Sequence, residues 1–129
     1  MRPGRGLRDC GRRLVHAHGK VAFSELAGHV AAAGSAAENA FRAADRGDPA
    51  FEVAVAKVRA GEAAGVGAGI AHQAHGAIGF TYEHSLHFST RRLWAWRAEF
   101  GSESRWAVRL GQQVAGRGAE QLWSDLTAR

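Results

Sequence analysis

Cysteine and proline are almost missing from these 129 residues: Cys10 is the only cysteine, and Pro3 and Pro49 are the only prolines. A single thiol excludes a disulfide within the chain and any cysteine-based metal centre, and it fits a reducing, cytoplasmic compartment. With two prolines, both placed before position 50, little interrupts long helices. No stretch approaches the roughly 18 unbroken apolar residues of a membrane span, and no charged-then-apolar leader opens the chain, so no membrane role is expected. Alternation with period two is nearly absent, which argues against sheet. Also lacking are a Ser/His/Asp arrangement, a phosphate-loop lysine motif and a dinucleotide-binding glycine fingerprint.

Positive charge is present but badly distributed for a nucleic-acid binder. The net charge is +5, yet Arg2, Arg5, Arg8, Arg12 and Arg13 against Asp9 give +4 within residues 1–13, leaving +1 for the rest. Residues 1–19 therefore read as a basic, flexible segment, and residues 20–129 as one helical domain without a basic face. The four tryptophans, with Phe100, read as packing or interface residues and not as a base-stacking platform.

The apolar periodicity predicts an all-α protein, an antiparallel four-helix bundle. Phe23, Leu26, Val30, Ala33 or Ala37, and Phe41 form a stripe on a helix from about Ala22 to Ala44, with that stripe expected inward. Gly47, Asp48 and Pro49 supply a stop, a cap and a first-turn residue, so a second helix should run from Pro49 to His75. It carries Gly61, Gly65 and Gly69 at spacing four, a smooth stripe that admits a close neighbour. A third helix is expected over Glu83 to Trp96, with Leu86, Leu93 and Trp94 or Trp96 inward. Ser102 and Glu103 open a fourth, to about Gly116, with Trp106, Leu110 and Val114 inward, and a short last helix spans Ala119 to Leu126 with Leu122 and Trp123 packed.

One segment is more specific than a helix pattern. Gln73-Ala74-His75-Gly76-Ala77-Ile78-Gly79-Phe80-Thr81-Tyr82-Glu83-His84 is followed after six residues by Arg91-Arg92. Gly76 and Gly79 can take left-handed or crowded backbone conformations, and the Gln73 amide both donates and accepts. This resembles the acyl-CoA dehydrogenase family, in which a turn of the type Q-x-x-G-[GA]-x-G-[FY] closes a long helix of the C-terminal bundle. The helix opening Ala54-Val55-Ala56-Lys57 and the segment Val21 to Ala27 are similar to family positions as well.

The resemblance implies the last domain of an FAD-dependent enzyme that dehydrogenates an acyl-CoA thioester between the α and β carbons, inactive on its own. It implies flavin contacts by Gln73, Gly76, Ala77 and Gly79, and assembly with like or unlike acyl-CoA dehydrogenase subunits. The alternative is a non-catalytic helical module that pairs with a larger dehydrogenase subunit. The chain departs from the family where an aromatic-Glu-Gly-Thr pattern presents the catalytic base. Aligning Gly101-Ser102 with Gly-Thr puts Phe100 at that position, and Phe100 cannot take a proton. Glu99, one residue away and rotated by about 100° on a helix, is the candidate base, with a solvated or salt-bridged role as the alternative. The arginine and Phe-Gly pair of the family's first bundle helix is not legible in Arg12 to Gly19. Arg91 and Arg92 are read as bracing the bundle through an acid or a carbonyl, or as meeting cofactor phosphate. The pairs His72/His75 and His84/His87 have helical spacing, but His75 falls in the turn and no carboxylate pattern accompanies both, so no metal is expected.

Overall fold

A computed structural model describes the backbone of residues 5–81 and 83–127 and the side chains from Gly19 onward within those ranges. The side chains of Cys10, of the basic residues within 1–13 and of Arg12–His18, and all of Tyr82, lie outside what is described. Among the described residues five α-helices follow one another: α1 (Arg5–Arg46), α2 (Ala50–His75), α3 (Leu86–Ala98), α4 (Glu103–Arg117) and α5 (Ala119–Thr127). A 3₁₀ turn, Gly76–Phe80, joins α2 to the segment before α3. No strand occurs among the described residues, and the all-α class is as expected. No helix there is long and apolar enough to cross a membrane.

The element boundaries have local causes. At Gly47 the chain takes φ +106°, and its N–H donates to Ala43 O and Ala44 O at 3.1 Å, closing α1 as a left-handed glycine does. Asp48 Oδ1 accepts from Ala50 N at 3.3 Å, one of the orphan donors that α2 leaves at its start. Ser102 caps α4, its Oγ accepting from Arg105 N at 3.4 Å, and Glu103 follows in the first turn where the helix dipole favours a carboxylate. The first helix is longer than the expected Ala22–Ala44, and the division between residues 19 and 20 falls inside it.

Helix α2 is the hub, packing against α1, the 3₁₀ turn, α3 and α4, whereas among the described residues α2 is the only element on which α1 packs extensively. The inward face of α1 differs from the expected one. Phe23, Val30 and Phe41 point outward, Phe41 being 75% exposed, while Ala36 and Ala43 are buried and Leu26 comes within 3.0 Å of where a Cβ on Gly67 would sit. Alanine and glycine faces allow two helix axes to approach more closely than phenylalanine would, and dispersion contacts accumulate along the whole seam. Leu122 and Trp123 are likewise exposed, not packed, and so are Trp94 and Trp96 on α3. Trp106, Leu110 and Val114 are half-buried as the four-residue spacing implied.

The glycine stripe of α2 faces α3 and the start of α4. A Cβ on Gly61 would meet Glu103 Cβ at 2.8 Å, and one on Gly65 would meet Arg97 Nη1 at 3.1 Å. Gly69, the third member, has nothing within 4 Å and lies exposed. Across this stripe Arg97 and Glu103 form a two-point ion pair, Nη2 to Oε1 and Nε to Oε2. The hydrogen bond from Arg97, and after it one from its own backbone, hold the Glu103 carboxyl below its ordinary pKa; burial opposes them, and the charges of Arg97 and Lys57 add smaller lowering effects.

Candidate functional site

The α2 terminus builds the site from backbone outward. Gly76 stops the helix at φ +60°, ψ −145°, and its N–H returns to His72 O. No atom lies within 4 Å of a Cβ placed there, so the main chain is open to an approaching group. Gly79 does the opposite job. It is buried, and a Cβ on it would stand 3.0 Å from His75 Cβ, 3.1 Å from Leu86 Cδ2 and 3.4 Å from His72 Nδ1. One glycine is therefore required by its conformation, the other by crowding. Thr81 closes the segment, its N–H and Oγ1 both donating to Ile78 O.

Gln73, Gly76 and Ala77 are all exposed, on the last turn of α2 and the first residues of the 3₁₀ turn, with Ile78 and Phe80 exposed beside them. Of the four sequence-selected contact residues, three are thus exposed and Gly79 is buried. Phe80 is held against the helix by stacking on His72, with ring centroids 4.3 Å apart. His72 is buried, and its Nε2 lies 3.1 Å from the Oγ1 of buried Thr90 on α3.

Three of the four histidines in this segment engage backbone through Nδ1. His75 Nδ1 meets Ala71 O at 2.7 Å, His87 Nδ1 meets His84 O at 2.7 Å, and His84 Nδ1 accepts from Leu86 N at 3.2 Å. His75 and His84 pack edge to face at 4.7 Å. No group of three or more metal-ligating side chains is found among the described residues.

Arg91 and Arg92 are exposed on α3. Among the described residues neither meets an acid; Arg92 instead lies over the Trp96 ring at 5.9 Å, a contact that the expected bracing role did not include. Glu99 ends α3 with an exposed side chain and an extended backbone, and its carbonyl accepts from Lys57 Nζ at 2.8 Å. Phe100 follows at φ +58° and is 91% exposed, and its carbonyl takes the Trp106 indole N–H at 3.0 Å. A left-handed phenylalanine costs about 1 kcal/mol. The bonds from Lys57 and Trp106 to the two successive carbonyls hold the turn in that shape.

Sequence reasoning read His72 only as a partner of His75 and overlooked Thr90 and the Arg97–Glu103 pair. Between α2 and α3 lies a cavity of 170 Å³, lined by Lys57, Gly61, Ala64, Leu93, Trp96 and Arg97 among others. Ligand pockets commonly measure about 300–1,000 Å³, so this cleft cannot enclose a dinucleotide or a coenzyme A thioester.

A helical bundle about a glycine-bearing central helix, closed by an exposed Gln-x-x-Gly turn, defines the class of domain. The family model described as "Acyl-CoA dehydrogenase, C-terminal domain" matches residues 7–114, and the chain belongs to that family. Comparison with curated proteins and with solved structures gives no match.

Proposed function

We propose that this chain serves as the C-terminal bundle of an FAD-dependent acyl-CoA dehydrogenase of lipid metabolism, in the cytoplasm. It contributes flavin contacts and an oligomer interface and does not turn over alone. The observation that carries the reading is the exposed turn with Gly76 at φ +60° and an open approach to its backbone. Its residues fit a dinucleotide. Gln73 offers an amide that can pair with a donor or an acceptor, and Gly76 and Ala77 offer backbone that a phosphate or ribose can reach. The C-terminal end of α2 is the negative end of its dipole, so neutralisation of a pyrophosphate falls to cations such as Arg91 or to other parts of the assembled enzyme.

When bound, the flavin would accept a hydride from the β-carbon of the thioester. In this reading Glu99 is the carboxylate that removes the α-proton in the assembled enzyme. The exposed apolar residues Phe23, Val30 and Phe41 on α1, with Trp94 and Trp96 on α3, support burial against neighbouring subunits. The test is flavin absorbance of the assembled enzyme after desalting. Flavin should be retained by the native sequence and lost with Gly76→Val; equal flavin in both would reject the turn as a contact.

A second reading is favoured by one observation, the exposed Phe100 where the family places its base. The chain would then be a non-catalytic subunit pairing with a larger dehydrogenase subunit that holds the base itself. Co-purification of an unlike, flavin-bearing subunit from the native host separates the two readings.

A further inference from the structure

His72 is 9% exposed, its Nδ1 has no hydrogen-bond partner among the described residues, and neither the bundle's packing nor the proposed cofactor contacts use that atom. Its other nitrogen is within 3.1 Å of Thr90 Oγ1, and Thr90 is 2% exposed. That hydroxyl has carbonyl acceptors of its own helix in range, Leu86 O at 3.3 Å and His87 O at 3.4 Å. A hydroxyl has one proton. If it goes to a carbonyl, Thr90 accepts from His72, and the imidazole proton sits on Nε2. The other tautomer would bury an N–H at Nδ1 with no acceptor, which costs more than leaving a lone pair there.

The same ring touches the turn twice. Phe80 stacks on it at 4.3 Å with 19° between planes, and Nδ1 lies at the crowded side of Gly79. Trp94 of α3 is near-parallel at 6.1 Å. His72 therefore connects three elements: its backbone belongs to α2, its Nε2 reaches α3 and its face carries the 3₁₀ turn. We propose that His72, held as the Nε2–H tautomer by Thr90, is a positioning residue that fixes the Gly76–Phe80 turn in the shape offered to the cofactor. The part concerning the cofactor rests on the flavin-contact reading above; the part concerning tautomer and turn does not.

The experiment is long-range ¹H–¹⁵N spectroscopy of the labelled full chain at pH 8, with Thr90→Val and Thr90→Ser alongside. In the native sequence the His72 ring should show an unprotonated Nδ1 and a protonated Nε2. Thr90→Val should abolish that bias and move the Gly79 and Phe80 amide resonances, and Thr90→Ser should restore both. A native His72 averaged between tautomers overturns the proposal even if Thr90→Val does not fold, and so do unmoved turn amides in a folded Thr90→Val. In the assembled enzyme Thr90→Val should weaken FAD binding about tenfold, the scale of one lost buried hydrogen bond, with recovery in Thr90→Ser. If the tautomer and turn behave as stated while the assembled enzyme holds no flavin, the flavin reading fails and the positioning role stands. If flavin is bound equally by native and Thr90→Val enzymes, the role toward the cofactor is overturned and the flavin reading stands.

Discussion

A Cβ built on Gly61 would stand 2.8 Å from Glu103 Cβ and 2.9 Å from Glu103 Oε2, closer than unbonded carbons tolerate. Glycine at this position is what allows the first turn of α4 to lie on α2. The cost of a helical glycine, about 1 kcal/mol relative to alanine, is offset by the ion pair and packing that it admits.

Replacing Gly61 by Ala should therefore lower stability by about 1–2 kcal/mol, overpacking outweighing the gain in helix propensity. Gly69 is the control on the same stripe. It is helical and open, so Gly69→Ala should raise stability by about 0.5–1 kcal/mol. Urea midpoints of the two variants should move in opposite directions; movement in the same direction would contradict the close approach at Gly61.

The pairing of Glu103 gives stability a pH signature. Its folded pKa is lowered, so its contribution is fully present above the unfolded value of about 4.3 and is lost as pH falls through the folded value. Glu103→Gln should destabilise by about 1 kcal/mol at pH 7, and that deficit should shrink as pH falls below the unfolded carboxyl value and through the lower folded one, where the native carboxylate takes up its proton as well. Thermal unfolding of both proteins from pH 3 to pH 7 checks the sign. A deficit that is constant across this range would assign Glu103 a packing role without electrostatic pairing.

Ser102 is the side-chain cap of α4, accepting from Arg105 N. Ser102→Ala should cost about 1 kcal/mol, and Ser102→Asp should retain most of the native stability because its carboxylate can accept the same bond at the positive end of the helix. Equal losses in the two variants, read from denaturant unfolding, would remove the cap from the account.

Glu99 offers a decisive kinetic comparison in the assembled enzyme. As the proton-abstracting base, it should lose about 10²-fold or more in kcat when changed to Gln, with the flavin spectrum unchanged. Its carboxamide variant leaves the Lys57 bond intact, since that bond is to the main-chain carbonyl. A kcat equal to that of the native enzyme assigns the base to another residue or another subunit.

The helices were legible because their stops are chemical and local. Gly47 and Pro49 mark the start of α2, Gly76 its end and Ser102 the start of α4, and each acts through its own backbone or nearest neighbours. The orientation of α1 was not legible. Phe23, Val30 and Phe41 dominate a hydropathy pattern, yet the seam with α2 selects small residues, and a periodicity carries no information about what lies opposite. At the candidate site, Gln73 and the glycines were selected by their resemblance to a family motif, which said nothing of how the two glycines differ, Gly76 open at φ +60° and Gly79 crowded. Arg97 and Glu103 could not be paired, because a turn containing left-handed Phe100 and Gly101 separates them and sets their approach. His72 was read as half of a His-x-x-His pair, whereas its real partner is a threonine eighteen residues away on another helix.

The outward aromatic face of α1 also bears on how the domain opens. Among the described residues α1 rests extensively on α2 alone, so its detachment would leave the α2–α3 and α2–α4 contacts in place, and it is expected to open as a unit of its own. Amide hydrogens along α1 should then exchange through an opening that costs less than global unfolding, and those in the middle of α2 only through the global event. Covering Phe23, Val30 and Phe41 with a neighbouring subunit would close that channel, so the slowing of α1 exchange on assembly measures what the covered face contributes.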